Sequence, residues 1–345
     1  MSALRVGVIG CGDISALHLD AIAQWADAEL VGVCDTDPAR LAAAVAATGA
    51  VGYAGHRTLL DEGQLDLVHV TTPHATHAAI AVDALDRGIH VIVEKPLAHD
   101  RAGGDQVLAA AAASSARIAV CFQNRYNATS QRAHEILASG ELGRVLGAAA
   151  TVMWWRPPAY YLDRPWRGTW AGSGGGLLMN QAIHTLDLLQ WLVGDVVSVT
   201  GSAHTRVLAD VIEVEDTAEM MLMHEGGARS VFYATLANVT NAPITLDITA
   251  EHGTLSLRGD LTVARTDGSV EVVSERTTAT GERAYWGASH ALLIHDFYRS
   301  IGEPGRFWID AAEANKTLAV IQDLYDQTHP ARGIRHRLEE RSMTT

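Results

Sequence analysis

The sequence predicts an α/β protein with two domains: a doubly wound parallel sheet, followed by an α+β domain with a large, mostly antiparallel open sheet. Two observations support this prediction. The first third alternates short apolar runs with helical segments, which is typical of a parallel sheet. From Gln123 onward the strand-like runs become longer and alternate in polarity, and Gly226-Gly227 marks a hairpin. We therefore expect domains at 1–122 and 123–345.

Composition excludes several classes of partner. The chain has 345 residues with 48% hydrophobic and 19% charged, as in a globular protein of two domains. Its net charge of −14 leaves no basic surface for nucleic acid or an anionic membrane. The cysteines are too far apart for a zinc site, so we expect no metal, and they suit a reducing cytoplasm. The N-terminus enters a strand almost at once, without a signal-peptide layout. The three cysteines are Cys11, Cys34 and Cys121.

A glycine loop follows the first predicted strand, Leu4 to Ile9. The pattern is G-x-G-x-x-S, with Ser15 where a third Gly or Ala is usual, and a helix runs on to about Gln24. Such glycines permit a tight turn and close backbone approach to a pyrophosphate, which also meets the helix N-terminus. The sequence thus predicts an N-terminal Rossmann dinucleotide-binding domain. The residues expected to contact the cofactor here are Gly10, Gly12, Asp13 and Ile14.

The second predicted strand, Glu29 to Cys34, ends at Asp35. This is the position from which a carboxylate accepts hydrogen bonds from the adenine ribose hydroxyls. A carboxylate here repels a 2′-phosphate, so NAD is favoured and NADP is less favoured. A purely local role, capping the turn, remains open for Asp35.

A third predicted strand, Leu65 to Val70, ends in small hydroxyl residues and a proline. Hydroxyl side chains at a strand's carboxyl end suit contact with the ribose and phosphates of a cofactor. Two histidines open the following helix, and we expect them to position groups or face solvent rather than catalyse. The cofactor candidates of this turn are Thr71, Thr72, Pro73, His74 and His77.

The stretch from His90 to Pro96 reads as a buried strand that ends in Glu94-Lys95-Pro96. Lys95 and Lys316 are the only lysines in a chain with 26 Lys and Arg residues. A lysine can shift its pKa and act as an acid or a donor, whereas arginine stays charged. We therefore expect Glu94 and Lys95 to lie at the site, although a surface ion pair between them remains possible.

In the second domain, Gly174-Gly175-Gly176 lead into a helix predicted to run to Val193 and to end at Gly194. Asn180 and His184 are four residues apart and share a face of this nearly apolar helix. A histidine with a pKa near 6.5 is suited to accept a hydroxyl proton at neutral pH. A core histidine with satisfied hydrogen bonds is the equal alternative.

The segment from Trp154 to Trp170 combines four of the eight tryptophans with tyrosines, arginines and three prolines, so we expect a loop. Aromatic rings and arginines suit a sugar ring or an anionic substituent, and they equally suit a subunit contact. Together with Tyr285 to His290, this loop is expected to set the substrate. The candidates for substrate contact are Trp154, Arg156, Tyr160 and Arg164.

Taken together, the glycine loop, Asp35, the Thr-Thr-Pro-His turn, Glu94-Lys95-Pro96 and the Asn180…His184…Asp187 helix resemble the Gfo/Idh/MocA oxidoreductases. These are relatives of glucose-fructose oxidoreductase and inositol dehydrogenase. The resemblance covers nearly the whole chain. It implies a nicotinamide cofactor, hydride transfer at a carbinol carbon of a sugar or cyclitol, and a homodimer or homotetramer through the second domain's open sheet.

The resemblance also implies roles for individual residues. Lys95 matches the family's catalytic lysine and His184 its catalytic histidine. Asn180 stands where many members have Asp, so it would orient substrate rather than relay charge. In this mechanism His184 takes the hydroxyl proton while Lys95 hydrogen-bonds the oxygen. Arg125 and the Trp166-Arg167 pair match positions that line cofactor or substrate in relatives.

Two other functions remain open from the sequence. Some relatives are glycosidases that oxidise a sugar carbon transiently, eliminate the aglycone and reduce the carbon again. An anionic glycoside would suit the arginines Arg125, Arg156, Arg164 and Arg167. An idle dinucleotide sensor is a third possibility. Retention of both Lys95 and His184 argues against the sensor.

Overall fold

The computed structural model describes residues 3–275 and 289–329. These residues form two compact units, the first made of 3–127 with 289–315 and the second of 128–275 with 316–329. Each unit contains one sheet. Within the described ranges, no helix combines the length and the apolar character needed to cross a membrane.

The sheet of the first unit has six strands in the order 3-2-1-4-5-6, and all its neighbours are parallel. This order confirms the predicted Rossmann arrangement. The strands are β1 (Leu4–Ile9), β2 (Ala28–Cys34), β3 (Val51–Tyr53), β4 (Leu67–Val70), β5 (His90–Val93) and β6 (Ile118–Val120). The helices are α1 (Ser15–Ala23), α2 (Pro38–Thr48), α3 (His56–Glu62), α4 (His74–Leu85), α5 (Arg101–Ala113) and α10 (Ser289–Ser300).

Local signals account for the helix starts. Asp37 caps α2 by accepting the backbone N–H of Ala39 at 2.8 Å, and Pro38 occupies the first helical position. The central strands are buried along their length, since every residue of β4 is buried. No sequence pattern predicted β3, which is the edge strand of this sheet, or the short helix α3 that follows it.

The sheet of the second unit has eight strands in the order 14-13-12-11-7-10-9-8, and only the β7–β10 pair is parallel. The predicted mostly antiparallel sheet is therefore confirmed. The strands are β7 (Val145–Met153), β8 (Val196–His204), β9 (Thr217–His224), β10 (Arg229–Thr235), β11 (Thr245–Ala250), β12 (Gly253–Arg258), β13 (Asp260–Arg265) and β14 (Val270–Val273). The remaining helices are α6 (Ala128–Ser139), α7 (Ala159–Leu162), α8 (Trp170–Ser173), α9 (Ile183–Val193) and α11 (Ala311–Thr328).

Helices cover one face of this sheet. Both α6 and α9 pack on it, and the buried side chains alternate with exposed ones along β9 and β10. Leu186 and Leu189 of α9 are fully buried, as the predicted apolar face requires. The opposite face keeps Met221, Val231 and Tyr233 partly exposed, at 54%, 51% and 39%.

The helix predicted across 177–193 differs from the structure at its start. Leu178–Ala182 form one turn of π-helix before α9 begins. Asn180 lies within this turn and His184 lies in α9, so the segment that carries the two residues is not the single regular α-helix that the sequence predicts. A π turn inserts an extra residue into the helical repeat and is not visible as a sequence period.

The compact units also differ from the predicted boundary between residues 122 and 123. The chain returns to the first unit at α10, where His295 donates Nε2–H to the carbonyl of Ala21 at 2.8 Å. Tyr298 of the same helix contacts His69 of β4 at 2.7 Å. Contacts between positions this far apart leave no local signal in a sequence. Tyr285–Ala288 and Arg332–Thr345 lie outside the described residues.

Candidate active site

The glycine loop takes the conformation that the sequence predicts. Gly10 has φ +97°, and a Cβ there would lie 2.8 Å from the Thr71 carbonyl group. No atom lies within 4 Å of a Cβ built on Gly12. No side chain caps the N-terminus of α1, which is the end of a helix that favours an anion. The loop therefore fits the pyrophosphate of a dinucleotide.

Asp35 holds the loop from the end of β2. Its Oδ2 accepts the Cys11 backbone N–H at 2.8 Å, and its Oδ1 accepts the Asp37 N–H at 2.8 Å. A carboxylate offers about four lone-pair sites, so capacity for ribose hydroxyls remains. The two roles considered for Asp35, turn capping and ribose contact, are thus compatible.

The turn after β4 binds the glycine loop through the Thr71 hydroxyl group. Thr71 donates Oγ1–H to the Gly10 carbonyl at 2.5 Å. The Thr72 hydroxyl oxygen accepts from Thr76 at 2.7 Å. Since β4 pairs directly with β1, these residues and the glycine loop share one edge of the sheet. This places the predicted phosphate and ribose candidates of β1 and β4 together.

His77 does not face solvent, which was one of the two roles expected for it. Its ring is fully buried, with Nδ1 2.8 Å from the Pro96 carbonyl oxygen and Nε2 2.8 Å from the Thr72 carbonyl oxygen. The ring joins the turns that follow β4 and β5. Burial lowers the pKa of His77, although the two carbonyl contacts oppose this. His74 is also buried, and its ring centroid lies 5.7 Å from that of His77.

Lys95 lies at the carboxyl end of β5, next to β4, and is partly exposed. Its neighbour Glu94 points inward instead. The Glu94 carboxylate accepts Nε2–H of His18 at 3.0 Å and of His290 at 3.2 Å, and all three side chains are buried. The predicted surface ion pair between Glu94 and Lys95 therefore does not describe Glu94.

Arg125 lies in a 3-10 turn after β6 and is only 2% exposed. Its guanidinium bonds the Glu313 carboxylate at 2.9 Å and lies 5.9 Å from the Trp308 ring centroid. These contacts lie within the first unit. They give Arg125 a structural function that the sequence analysis did not foresee.

In the second unit, a buried carboxylate supports the glycine run before His184. Glu215 accepts the backbone N–H groups of Gly176 at 2.7 Å and Leu178 at 2.8 Å, and the Tyr325 hydroxyl at 2.7 Å. A Cβ on Gly176 would overlap the Glu215 carbonyl oxygen. Burial raises the pKa of Glu215, despite these donors. Position 176 requires glycine because a Cβ there does not fit beside the backbone of Glu215, just before β9.

Asn180 and His184 follow this support. Asn180 donates its amide N–H to the Gly176 carbonyl at 2.9 Å. Asn180 and His184 are both partly exposed. The neighbouring Gln181 donates to the Tyr160 hydroxyl at 3.0 Å. Gln181 thus connects the π turn to the aromatic segment, and sequence reasoning missed both Gln181 and Glu215.

The segment 154–170 is folded into short turns rather than an open loop. Arg167 stacks on Tyr160 with its guanidinium carbon 4.4 Å from the ring centroid, and Arg156 lies 5.0 Å from the Trp154 ring. Trp154 donates Nε1–H to the Ala242 carbonyl at 3.0 Å. Trp166 and Arg164 are partly exposed in the same segment. The segment therefore contains two cation–π contacts, Arg167 with Tyr160 and Arg156 with Trp154.

The Rossmann sheet, the open glycine loop and Asp35 define a dinucleotide-dependent oxidoreductase, with Lys95 on a neighbouring strand end. Comparison with known proteins gives the same class. Residues 4–122 match the model described as "Oxidoreductase family, NAD-binding Rossmann fold", and residues 130–256 match the GFO/IDH/MocA C-terminal domain. The chain belongs to the GFO/IDH/MocA family, and the predicted family is confirmed.

Three relatives illustrate the similarity. The WlbA dehydrogenase from Bordetella pertussis, solved with NADH and UDP-GlcNAcA, is 34% identical with a TM-score of 0.81, covering 94% of this chain and 95% of that chain. A D-apiose dehydrogenase of Paraburkholderia graminis is 29% identical, over 92% of this chain and 86% of the relative. An inositol 2-dehydrogenase of Leifsonia xyli subsp. xyli is 25% identical, over 90% and 96%.

Proposed function

We propose that the chain is an NAD-dependent dehydrogenase that transfers hydride between the cofactor and a secondary hydroxyl of a sugar, sugar derivative or cyclitol. One observation carries this proposal. The glycine loop, Thr71 and Lys95 follow three neighbouring parallel strands, β1, β4 and β5. Ligands of such sheets bind at the carboxyl ends of the strands. This arrangement supports a role for Lys95 beside the turns proposed to bind the cofactor.

The chemistry divides between cofactor and protein. Bound NAD would supply the hydride acceptor. Lys95 donates a hydrogen bond to the reacting oxygen and stabilises its developing negative charge. His184 accepts the hydroxyl proton, and Asn180 orients the substrate because an amide cannot share a proton. The family resemblance supports these assignments.

NAD is the proposed cofactor rather than NADP. The Asp35 carboxylate is fixed by two backbone N–H groups and adjoins the glycine loop. A fixed negative charge disfavours a 2′-phosphate at the adenosine ribose.

For the substrate we propose a sugar with an anionic substituent. Arg156, Arg164 and Arg167 occur within twelve residues, and guanidinium groups bind carboxylates and phosphates in a bidentate manner. The WlbA relative was solved with UDP-GlcNAcA, which supports including nucleotide-linked sugar acids among the candidates.

The redox-neutral glycosidase is the alternative. The relatives named above are dehydrogenases, which favours net hydride transfer. The idle-sensor alternative is disfavoured because Lys95 is retained at the cofactor edge.

We also propose a cytoplasmic homodimer or homotetramer that associates through the uncovered face of the eight-stranded sheet. Met221, Val231 and Tyr233 lie on neighbouring strands of that face, and Met221 pairs directly with Val231. Adjacent exposed apolar side chains of this kind mark association surfaces. The three free thiols suit a reducing compartment.

The test is to incubate the purified protein with NAD and a panel of inositols, aldoses, sugar acids, nucleotide-linked sugar acids and simple glycosides. Reduced nicotinamide and released sugar are followed together. Reduction that accumulates with one class supports the dehydrogenase. Release of aglycone without net reduction would replace it by the glycosidase.

A further inference from the structure

A continuous chain of buried side chains lies behind Glu94 in the first unit. The Tyr298 hydroxyl is 2.7 Å from His69 Nε2, and His69 Nδ1 is 2.7 Å from His18 Nδ1. His18 Nε2 is 3.0 Å from Glu94 Oε1. His18 and His69 are fully buried, and Tyr298 is 5% exposed. We call these four residues the Glu94 chain.

The hydrogen bonds of this chain can point in only one direction. Burial alone would raise the pKa of Glu94, but the N–H donors of His18 and His290 hold it well below its ordinary value. Burial lowers the pKa of His18 and of His69, so both rings are neutral near pH 7. A neutral imidazole has one donor and one acceptor nitrogen.

The ring protons follow from this constraint. An ionised Glu94 accepts only, so His18 carries its proton on Nε2 and presents a bare Nδ1. His69 must then donate Nδ1–H to His18, which leaves His69 Nε2 to accept the Tyr298 O–H. His290 supplies a second N–H to the same Glu94 oxygen from α10.

We propose that the Glu94 chain and His290 are positioning residues, which hold an ionised carboxylate in the interior and so fix Lys95 for reaction. Glu94 is the residue before Lys95 and continues directly from β5. Four bonds between side chains of α1, β4 and α10 immobilise it. The inference rests on the proposed role of Lys95 and extends it to the buried side chains that surround the Glu94 carboxylate.

The negative charge of Glu94 also acts on the protonation of Lys95. Other groups that interact with Glu94 are His77 of α4 and the buried Cys121 after β6, and both also interact with the charge of Lys95. An ionised carboxylate near an ammonium favours the charged ammonium. Removing the Glu94 charge should therefore make Lys95 lose its proton at lower pH.

The first experiment compares Glu94→Gln with the wild type. The amide oxygen can still accept both N–H donors, while the charge is lost. We expect kcat to fall at least tenfold, NAD affinity to stay within threefold, and the basic limb of the kcat profile to move down by on the order of one pH unit. An unchanged kcat and an unmoved limb would overturn the proposal.

A second comparison removes one tyrosine hydroxyl, either from the Glu94 chain or from elsewhere in the same unit. Tyr298→Phe deletes the terminal donor, and Tyr126→Phe deletes a hydroxyl of the same unit that donates to Asp296 at 2.6 Å. We expect Tyr298→Phe to lower kcat about two- to fivefold and Tyr126→Phe to leave it unchanged. Equal effects on kcat would assign the hydroxyls to stability alone.

Nitrogen-15 NMR of the histidine rings reads the direction of the chain independently of activity. We expect protonated Nε2 in His18 and protonated Nδ1 in His69. The reversed pair would contradict the inference even if the enzyme transfers hydride. Failure of the proposed function can be told apart from failure of this inference. A wild-type protein that oxidises none of the substrates tested would still show its ring tautomers.

Discussion

The backbone N–H of Cys11 donates to Oδ2 of Asp35 at 2.8 Å, so the carboxylate that would bind the adenosine ribose also holds the glycine loop. The two strands concerned, β1 and β2, are direct neighbours. We therefore expect cofactor affinity and cofactor choice to depend on the same side chain.

Replacement of Asp35 by alanine should weaken NAD binding about 10- to 50-fold and raise the ratio of NADP to NAD affinity at least tenfold. The variant loses two backbone hydrogen bonds and the charge that repels a 2′-phosphate. Titration with both cofactors measures the effect. The control is Asp37→Ala, which removes the cap of α2 but no bond to the glycine loop, and should change NAD affinity less than threefold. An unchanged cofactor preference in Asp35→Ala would mean that the adenosine end is elsewhere.

Gly176→Ala should destabilise the protein by about 3 kcal/mol or more. The added methyl group would overlap the Glu215 carbonyl oxygen, and neither backbone segment can move without breaking its hydrogen bonds. Urea unfolding measures this change. Gly226→Ala is the matched control, because no atom lies within 4 Å of its added Cβ, and we expect a change below about 0.5 kcal/mol. Similar stabilities of the two variants would refute the packing assigned to the glycine run.

Stability should fall as the pH is lowered from 7 to 5. The pKa values of His18, His69 and His77 lie below 6.5 in the folded protein because their rings are buried. The unfolded chain therefore binds more protons as pH drops through 6.5, and each such histidine removes up to about 1.4 kcal/mol per pH unit until its folded pKa is reached. Glu94, whose folded pKa is also depressed, adds a loss of the same sign below 4.5.

Denaturant titrations across this pH range test the sign. His69→Gln should reduce the slope of unfolding free energy against pH, whereas replacement of the exposed His204 by Gln should leave the slope nearly unchanged. A protein equally stable at pH 5 and pH 7 would contradict the assignment of neutral buried rings.

Val231→Arg should dissociate the proposed oligomer. The new charge lies at the centre of the uncovered sheet face, opposite Met221, and its burial in an interface would be unfavourable. Light scattering after size-exclusion chromatography gives the mass. Val239→Arg is the control, because Val239 is 87% exposed and lies outside the strands of the sheet, and this variant should keep the wild-type mass. A wild-type monomer would refute the proposed association.

The sequence predicted the features that depend on local patterns. The glycine loop and the alternation of polarity along β9 follow from spacing within a few residues, and the structure has both. The carboxylate at Asp35 was found because its distance from the glycines is fixed by the strand–helix–strand unit. These features support the proposed cofactor edge of the first unit.

The features that the sequence did not predict depend on distant contacts. His18, His69 and Tyr298 belong to α1, β4 and α10, and nothing in their immediate neighbours marks them as one chain. Glu215 supports Gly176 across 39 positions. The only local signal of this cluster was His69, a histidine within the apolar run of β4, since a buried polar group requires hydrogen-bond partners.

The most direct test of the central claim uses the two lysines of the chain. Lys95→Ala and Lys316→Ala remove the same charge, but Lys316 pairs with Asp195 in the second unit and has no assigned role in the reaction. With NAD and the active substrate from the panel, we expect Lys95→Ala to lower the single-turnover rate of nicotinamide reduction by at least 10³-fold, about 4 kcal/mol, with NAD affinity nearly unchanged. Lys316→Ala should react within about twofold of the wild type. Undiminished reduction by Lys95→Ala would contradict the account.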